Sequence, residues 1–86
     1  MNVKKYLNKM TAYLDVDRQR CASHKACLEL ILKKLKKRKH EIKALLTEEG
    51  DAERRAALAE ELSVVQAQRK KGLKALKLLC EDENID

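Results

Sequence analysis

Apolar residues recur along the first half of the chain at a seven-residue interval: Leu7, Leu14, Cys21, Leu28, Leu35 and Ile42. Val3, Met10, Ile31 and Leu45 fill the alternate positions. A seam of this spacing follows one side of an α-helix and invites a second helix to pack on it. Asp17, His24 and Arg38 interrupt the alternate row, and polar insertions of this kind fix register or oligomer state. The second half carries a narrower stripe of Leu58, Leu62, Val65, Leu73, Leu76 and Cys80. Arg69 sits in its gap, Leu79 lies beside it, and Gly72 lies on or next to it. A glycine there weakens the helix by roughly 1 kcal/mol relative to alanine, but it permits a close approach.

The two patterns meet at Thr47-Glu48-Glu49-Gly50-Asp51. Gly50 can take the left-handed conformation that ends a helix. Asp51 can accept hydrogen bonds from the free N–H groups that begin the next one, and Glu53 suits its positive first turn. The spacing predicts helices over about 3–47 and 52–81, with Asp15 and Asp17 offering a break at 15–17. Two long helices joined by so few residues form an antiparallel hairpin. With the turn at Gly50, facing positions sum to roughly 100. Ile42 then faces Leu58, Leu35 faces Val65, Leu28 faces Gly72 and Leu73, and Cys21 faces Leu79 and Cys80.

This register leaves residues 2–16 beyond the end of the second arm. The overhang is apolar along one side through Val3, Tyr6, Leu7, Met10, Tyr13 and Leu14. It can fold back, meet a second copy, or bind another protein, and these six residues are the candidate partner-binding surface. The expected organisation is one all-α domain over 1–86, a coiled-coil-like antiparallel hairpin. It has an overhang or short helix at 2–16, arms at 17–47 and 51–81, and a frayed acidic end at 82–86. If helix one is unbroken it extends about 69 Å.

Composition sharpens the fold class. The chain has no Pro, Trp or Phe and only two Gly, so strands and turns are poorly provided for. Charged residues make up 40% and aromatics 2%. The core is therefore thin, and dimerisation into a helical bundle is the expected remedy. No apolar run approaches the length of a transmembrane helix. The start of the chain lacks a secretory apolar region. An odd count of three cysteines suits a reducing cytoplasm better than a disulfide framework.

Twenty Lys and Arg against fourteen Asp and Glu give a net charge of +6. The excess is concentrated in Lys33, Lys34, Lys36, Lys37, Arg38 and Lys39 on the first arm, and in Arg69, Lys70, Lys71 and Lys74 on the second. These ten are the candidate polyanion-binding residues, able to neutralise several phosphates. No aromatic is interleaved with them to stack on bases, and Glu60 and Glu61 can pair with part of the run.

Other chemistry finds little support. Cys21, His24 and Cys27 are spaced three apart, and Cys80 should lie across from Cys21, so four zinc-type ligands share one level. Small buried thiols and a polar register residue explain the same pattern, and Cys27 turns partly away. The sequence therefore assigns no metal and no cofactor, with a Cys21–Cys80 disulfide as the oxidised alternative. Ser23 and Ser63 stand outside any glycine-rich turn, His40 is set among cations, and no catalytic residues are assigned. The expectation is a non-enzymatic helical module that contacts another protein or itself as a homodimer. The alternative is a basic hairpin that contacts nucleic-acid phosphates. A third option is an amphipathic N-terminal helix at a membrane surface, using Lys4, Lys5 and Lys9 with Leu7 and Met10.

Overall fold

A computed structural model of the chain describes residues 3–83, apart from the side chains of Arg18 and of residues 81–83. The described residues are all-helical, with α1 at Val3–Tyr13, a 3-10 turn at Arg18–Arg20, α2 at His24–Glu48 and α3 at Ala52–Glu83. Helices α2 and α3 pack along their lengths as the antiparallel hairpin. The predicted helix over 3–47 is broken by a longer connector than expected, residues 14–23, so the first arm begins at His24 rather than at 17. The second arm runs through Glu83, into the segment expected to fray; residues 84–86 lie outside the described part.

Local chemistry explains the break. Asp15 adopts φ 55°, and Val16 N–H donates to the carbonyl of Thr11 at 2.8 Å, which closes α1 with a left-handed C-terminal cap. Asp17 then organises the 3-10 turn: its carboxylate accepts from Gln19 N–H at 3.0 Å and its carbonyl from Arg20 N–H at 3.1 Å. Ser23 caps α2, accepting from Ala26 N–H at 3.1 Å through its hydroxyl.

At the other end, Asp51 caps α3 as its position suggests, accepting from Glu53 N–H at 3.1 Å. Gly50 does not supply a left-handed residue. Its φ is not positive, and the C-cap of α2 is Glu49 in extended geometry. The open carbonyls at the end of α2 are instead satisfied by Arg55, which donates to Leu46 at 3.3 Å and Glu49 at 3.1 Å.

The hairpin register agrees with the sequence. Arg38 donates to Glu61 at 2.8 Å through Nε, a pair summing to 99. Leu28, Ile31, Leu35, Ile42 and Val65 are fully buried. Two seam positions need correction. Leu73 is 48% exposed, and Gly72 takes its place facing the core. Leu45 is 46% exposed, while Leu46 packs against the core. The buried face of α3 thus reads Leu58, Val65, Gly72 and Leu79 in one row and Leu62, Arg69 and Leu76 in another, with fully buried Ala75 beside them.

The main departure concerns residues 2–16. Rather than lacking a partner within the chain, α1 folds back onto the hairpin. Tyr6, Leu7 and Met10 join the core at 8%, 0% and 2% exposure, with Val3 and Leu14 packed against it. Tyr6 donates its hydroxyl to the Gln68 carbonyl at 2.8 Å, 62 residues away. A β-carbon at Gly72 would lie 2.6 Å from that hydroxyl and 2.8 Å from Leu32 Cδ2. Gly72 is the seat of the Tyr6 ring, so the close approach is made by side chains. Thr11, buried in the same helix, is satisfied by the Leu7 carbonyl at 2.8 Å. Tyr6 lies level with Leu32 and Gly72, and Leu14 level with Arg38 and Glu61, so α1 runs in the direction of α2. The resulting bundle measures 54 × 23 × 18 Å, shorter than the unbroken first helix would require.

Candidate functional site

The two basic runs lie on different helices, and the hairpin brings part of each together. Lys33, Lys34, Lys36 and Lys37 of α2 are exposed, as are Lys70, Lys71 and Lys74 of α3; Lys39 is half-buried. Ion pairs among the described residues include Arg20–Asp17, Arg38–Glu41, Arg38–Glu61 and Arg54–Asp51. None uses a lysine of either run. Arg38 differs from its neighbours: Glu61 at 2.7 Å and Glu41 at 3.3 Å bracket it, and the hydrogen bond to Glu61 is the main cause of its raised pKa. Arg38 therefore acts as a staple between the arms, its charge shared with Glu61 and Glu41.

Three clefts mark this surface. One, of about 220 Å³, lies between the arms and is lined by Lys39, Gln66, Arg69, Lys70 and Leu73. It joins one cation from the first run to two from the second, with no carboxylate in its wall. Arg69 occupies the α3 seam, and its Nε is buried without a hydrogen-bond partner. Such an orphan donor costs roughly 1–3 kcal/mol, more when charged. A second cleft, of about 430 Å³, opens where α1 ends, between Tyr13, Leu14, Lys34, Lys37, Arg38, Glu41 and Glu61. Here the fold places an exposed aromatic, Tyr13 at 48%, against the first basic run. Tyr13 and the lysines are far apart in sequence, so no local pattern announces the juxtaposition. The third, of about 610 Å³, is an open depression along α2, bounded by Leu30, Lys33, Lys34, Lys36, Lys37, His40 and Glu41.

The apolar candidates are placed differently. Of the six residues expected to contact a partner, Tyr6, Leu7 and Met10 are buried within the chain, Val3 and Leu14 are partly covered, and Tyr13 alone is strongly exposed. The apolar side chains that do face outward are elsewhere: Leu30 at 38%, Leu45 at 46%, Val64 at 45%, Leu73 at 48% and Leu78 at 38%.

The cysteines also pair in an unexpected way. Cys21 is bonded to Cys27, Cα–Cα 5.2 Å, and Cys80 is free. The Cys21–Cys80 alternative is thereby corrected. Residues six apart do not share a helix face; the bond forms because Cys21 lies in the connector ahead of α2. Among the described residues no three His, Cys, Asp or Glu side chains are grouped to hold a metal ion. Ser23 is occupied as a helix cap. No helix among the described residues is long and apolar enough to cross a membrane.

No protein-family model matches the chain, and no curated protein or solved structure is significantly similar to it. The class is set by the coordinates alone: a helical hairpin closed by a third, folded-back helix, with cations on its outer face.

Proposed function

We propose that the chain is a non-enzymatic helical interaction or assembly module that meets its partner through the outside of the hairpin. The observation that carries this reading is the set of large apolar side chains still facing outward once α1 has folded in, notably Leu30 and Leu73, each beside lysines without an ion pair. Such a surface suits a partner, or a second copy, that offers apolar contacts and carboxylates together. The dimerisation expected from the thin core rests on these residues, because the N-terminal stripe is used internally. Sedimentation of the wild type and of a Leu30→Glu, Leu73→Glu variant tests it. The expected result is association in the wild type and a helical monomer in the variant. A monomeric wild type, or unchanged association of the variant, counts against it.

A second reading, contact with nucleic-acid phosphates, is favoured by one specific observation: Lys39, Arg69 and Lys70 converge from two helices without a countercharge. Salt separates the two readings. Phosphate contacts weaken steeply as salt rises, whereas apolar docking does not.

A further inference from the structure

We propose that the cleft between the arms formed by Lys39, Gln66, Arg69, Lys70 and Leu73 is a binding site for a phosphate group, presented by a nucleic-acid strand. This rests on the phosphate reading rather than on apolar docking, which claims Leu73 of the same cleft, and gives the phosphate reading a location. Three features of the cleft point the same way.

The first is charge without compensation. Lys39 comes from α2 and Arg69 and Lys70 from α3, so three cations separated by about thirty residues of chain line one cleft of about 220 Å³. No carboxylate lines it; Glu41 and Glu61 line the cleft beside Tyr13 instead and are engaged with Arg38. The second is the unmet donor. Arg69 Nε is buried and has no acceptor in the chain, whereas buried polar groups in folded proteins are nearly always paired. Arg69 lines the cleft but its Nε has no accessible surface, so an oxyanion supplies the missing acceptor only when the guanidinium turns outward, and Gln66 adds a neutral amide donor at the wall. The third is shape. A carboxylate presents two oxygens in one plane, whereas a phosphate presents oxygens in several directions and so meets donors converging from two helices.

The surroundings favour a strand over an isolated anion. Helical spacing places Lys36 and Lys43 on the Lys39 side of α2 and Lys74 and Lys77 on the side of Lys70 and Leu73 on α3. Cations therefore continue in both directions along the groove between the arms, as a run of phosphates requires.

The test uses the intact chain, with its Arg Nε–H groups observed by nitrogen–proton NMR while either inorganic phosphate or a short oligothymidylate is added at fixed ionic strength. The Arg69 Nε–H signal should move and saturate with the oligonucleotide. Lys70→Gln is the preferred variant because Lys70 is exposed and outside the core; Arg69→Gln is the second. Each should lower the slope of log affinity against log salt by about one. Reversing Lys34 and Lys37 in the other cleft should leave the Arg69 shift in place. If the oligonucleotide binds but neither cleft variant changes the slope and the Arg69 signal is unmoved, the site is wrong and the phosphate reading survives. If inorganic phosphate moves Arg69 and the oligonucleotide does not bind, the cleft takes a phosphate but the strand claim is overturned. If neither moves it and neither binds, both fall.

Discussion

Replacing Gly72 with alanine separates a folded-back α1 from a free one. In an isolated helix the change is favourable by about 1 kcal/mol. Here the new β-carbon would lie 2.6 Å from the Tyr6 hydroxyl and 2.8 Å from Leu32 Cδ2, both distances that force a neighbour to move. Leu32 can rotate its terminal methyl aside. Tyr6 is less free, because its ring is 8% exposed and its hydroxyl is held by the Gln68 carbonyl. Displacing it forfeits a hydrogen bond worth about 0.5–1.5 kcal/mol and adds overpacking of about 1–3 kcal/mol. Against the helix-propensity gain, the net expectation is destabilisation by about 1–3 kcal/mol. The same substitution in a Tyr6→Ala background meets only Leu32, so it should turn neutral or stabilising, with a coupling energy of at least about 1 kcal/mol. Gly50→Ala is the internal control. No atom lies within 4 Å of its β-position and its φ is ordinary, so it should stabilise by about 0.4–1 kcal/mol. Urea unfolding followed by far-ultraviolet circular dichroism measures all of these. If Gly72→Ala stabilises the wild type by the full propensity gain and shows no coupling to Tyr6, α1 does not sit where the structure puts it.

Four further outcomes follow from the same packing. Burial raises the Tyr6 pKa from 10.0 to about 12; the unfolded chain releases this proton first, so stability should fall as pH rises from about 10 to 12, and the part of the fall due to Tyr6 should vanish in Tyr6→Phe. Reducing the Cys21–Cys27 bond should cost at most about 2 kcal/mol on a chain-entropy estimate for so short a loop, leaving the helical fold intact by circular dichroism. Changing Leu7 and Met10 to Glu removes two fully used core residues, each worth about 1.5–3 kcal/mol; the hairpin should persist while connector 14–23 becomes protease-sensitive, and unchanged protection would refute the docking. Glu61→Gln should cost only about 0.2–1 kcal/mol, because the Arg38 pair is about one-third exposed.

The hairpin was legible because its determinants are local. Heptad spacing and the Asp51 cap are each visible within a few turns of sequence. The face of α3 was not, for a simple reason. A search for apolar residues passes over Gly72 and settles on Leu73, whereas the space needed by the Tyr6 ring selects the residue without a side chain. Folding back of α1 was one of three open outcomes. Its direct signal was the connector, where Asp15, Asp17 and Ser23 act as a helix stop, a turn and a new cap; only the two aspartates were recognisable as a break. The Lys39–Arg69–Lys70 cleft depends on register to within about one residue, and the Tyr13 cleft on the return of α1. Neither has a local signature. The Cys21–Cys27 bond was hidden because a continuous helix forbids it.

The central claim is that α1 packs on its own hairpin, and the proposal that the outer face makes the contacts depends on it. Isotope-filtered NMR on a mixture of labelled and unlabelled chains, recorded at decreasing concentration, tests it most directly through contacts between the Tyr6 ring and the Gly72 α-protons. The account predicts contacts within one chain that persist on dilution. Contacts seen only between a labelled and an unlabelled chain, or lost on dilution, would show that α1 belongs to a second copy and would contradict it.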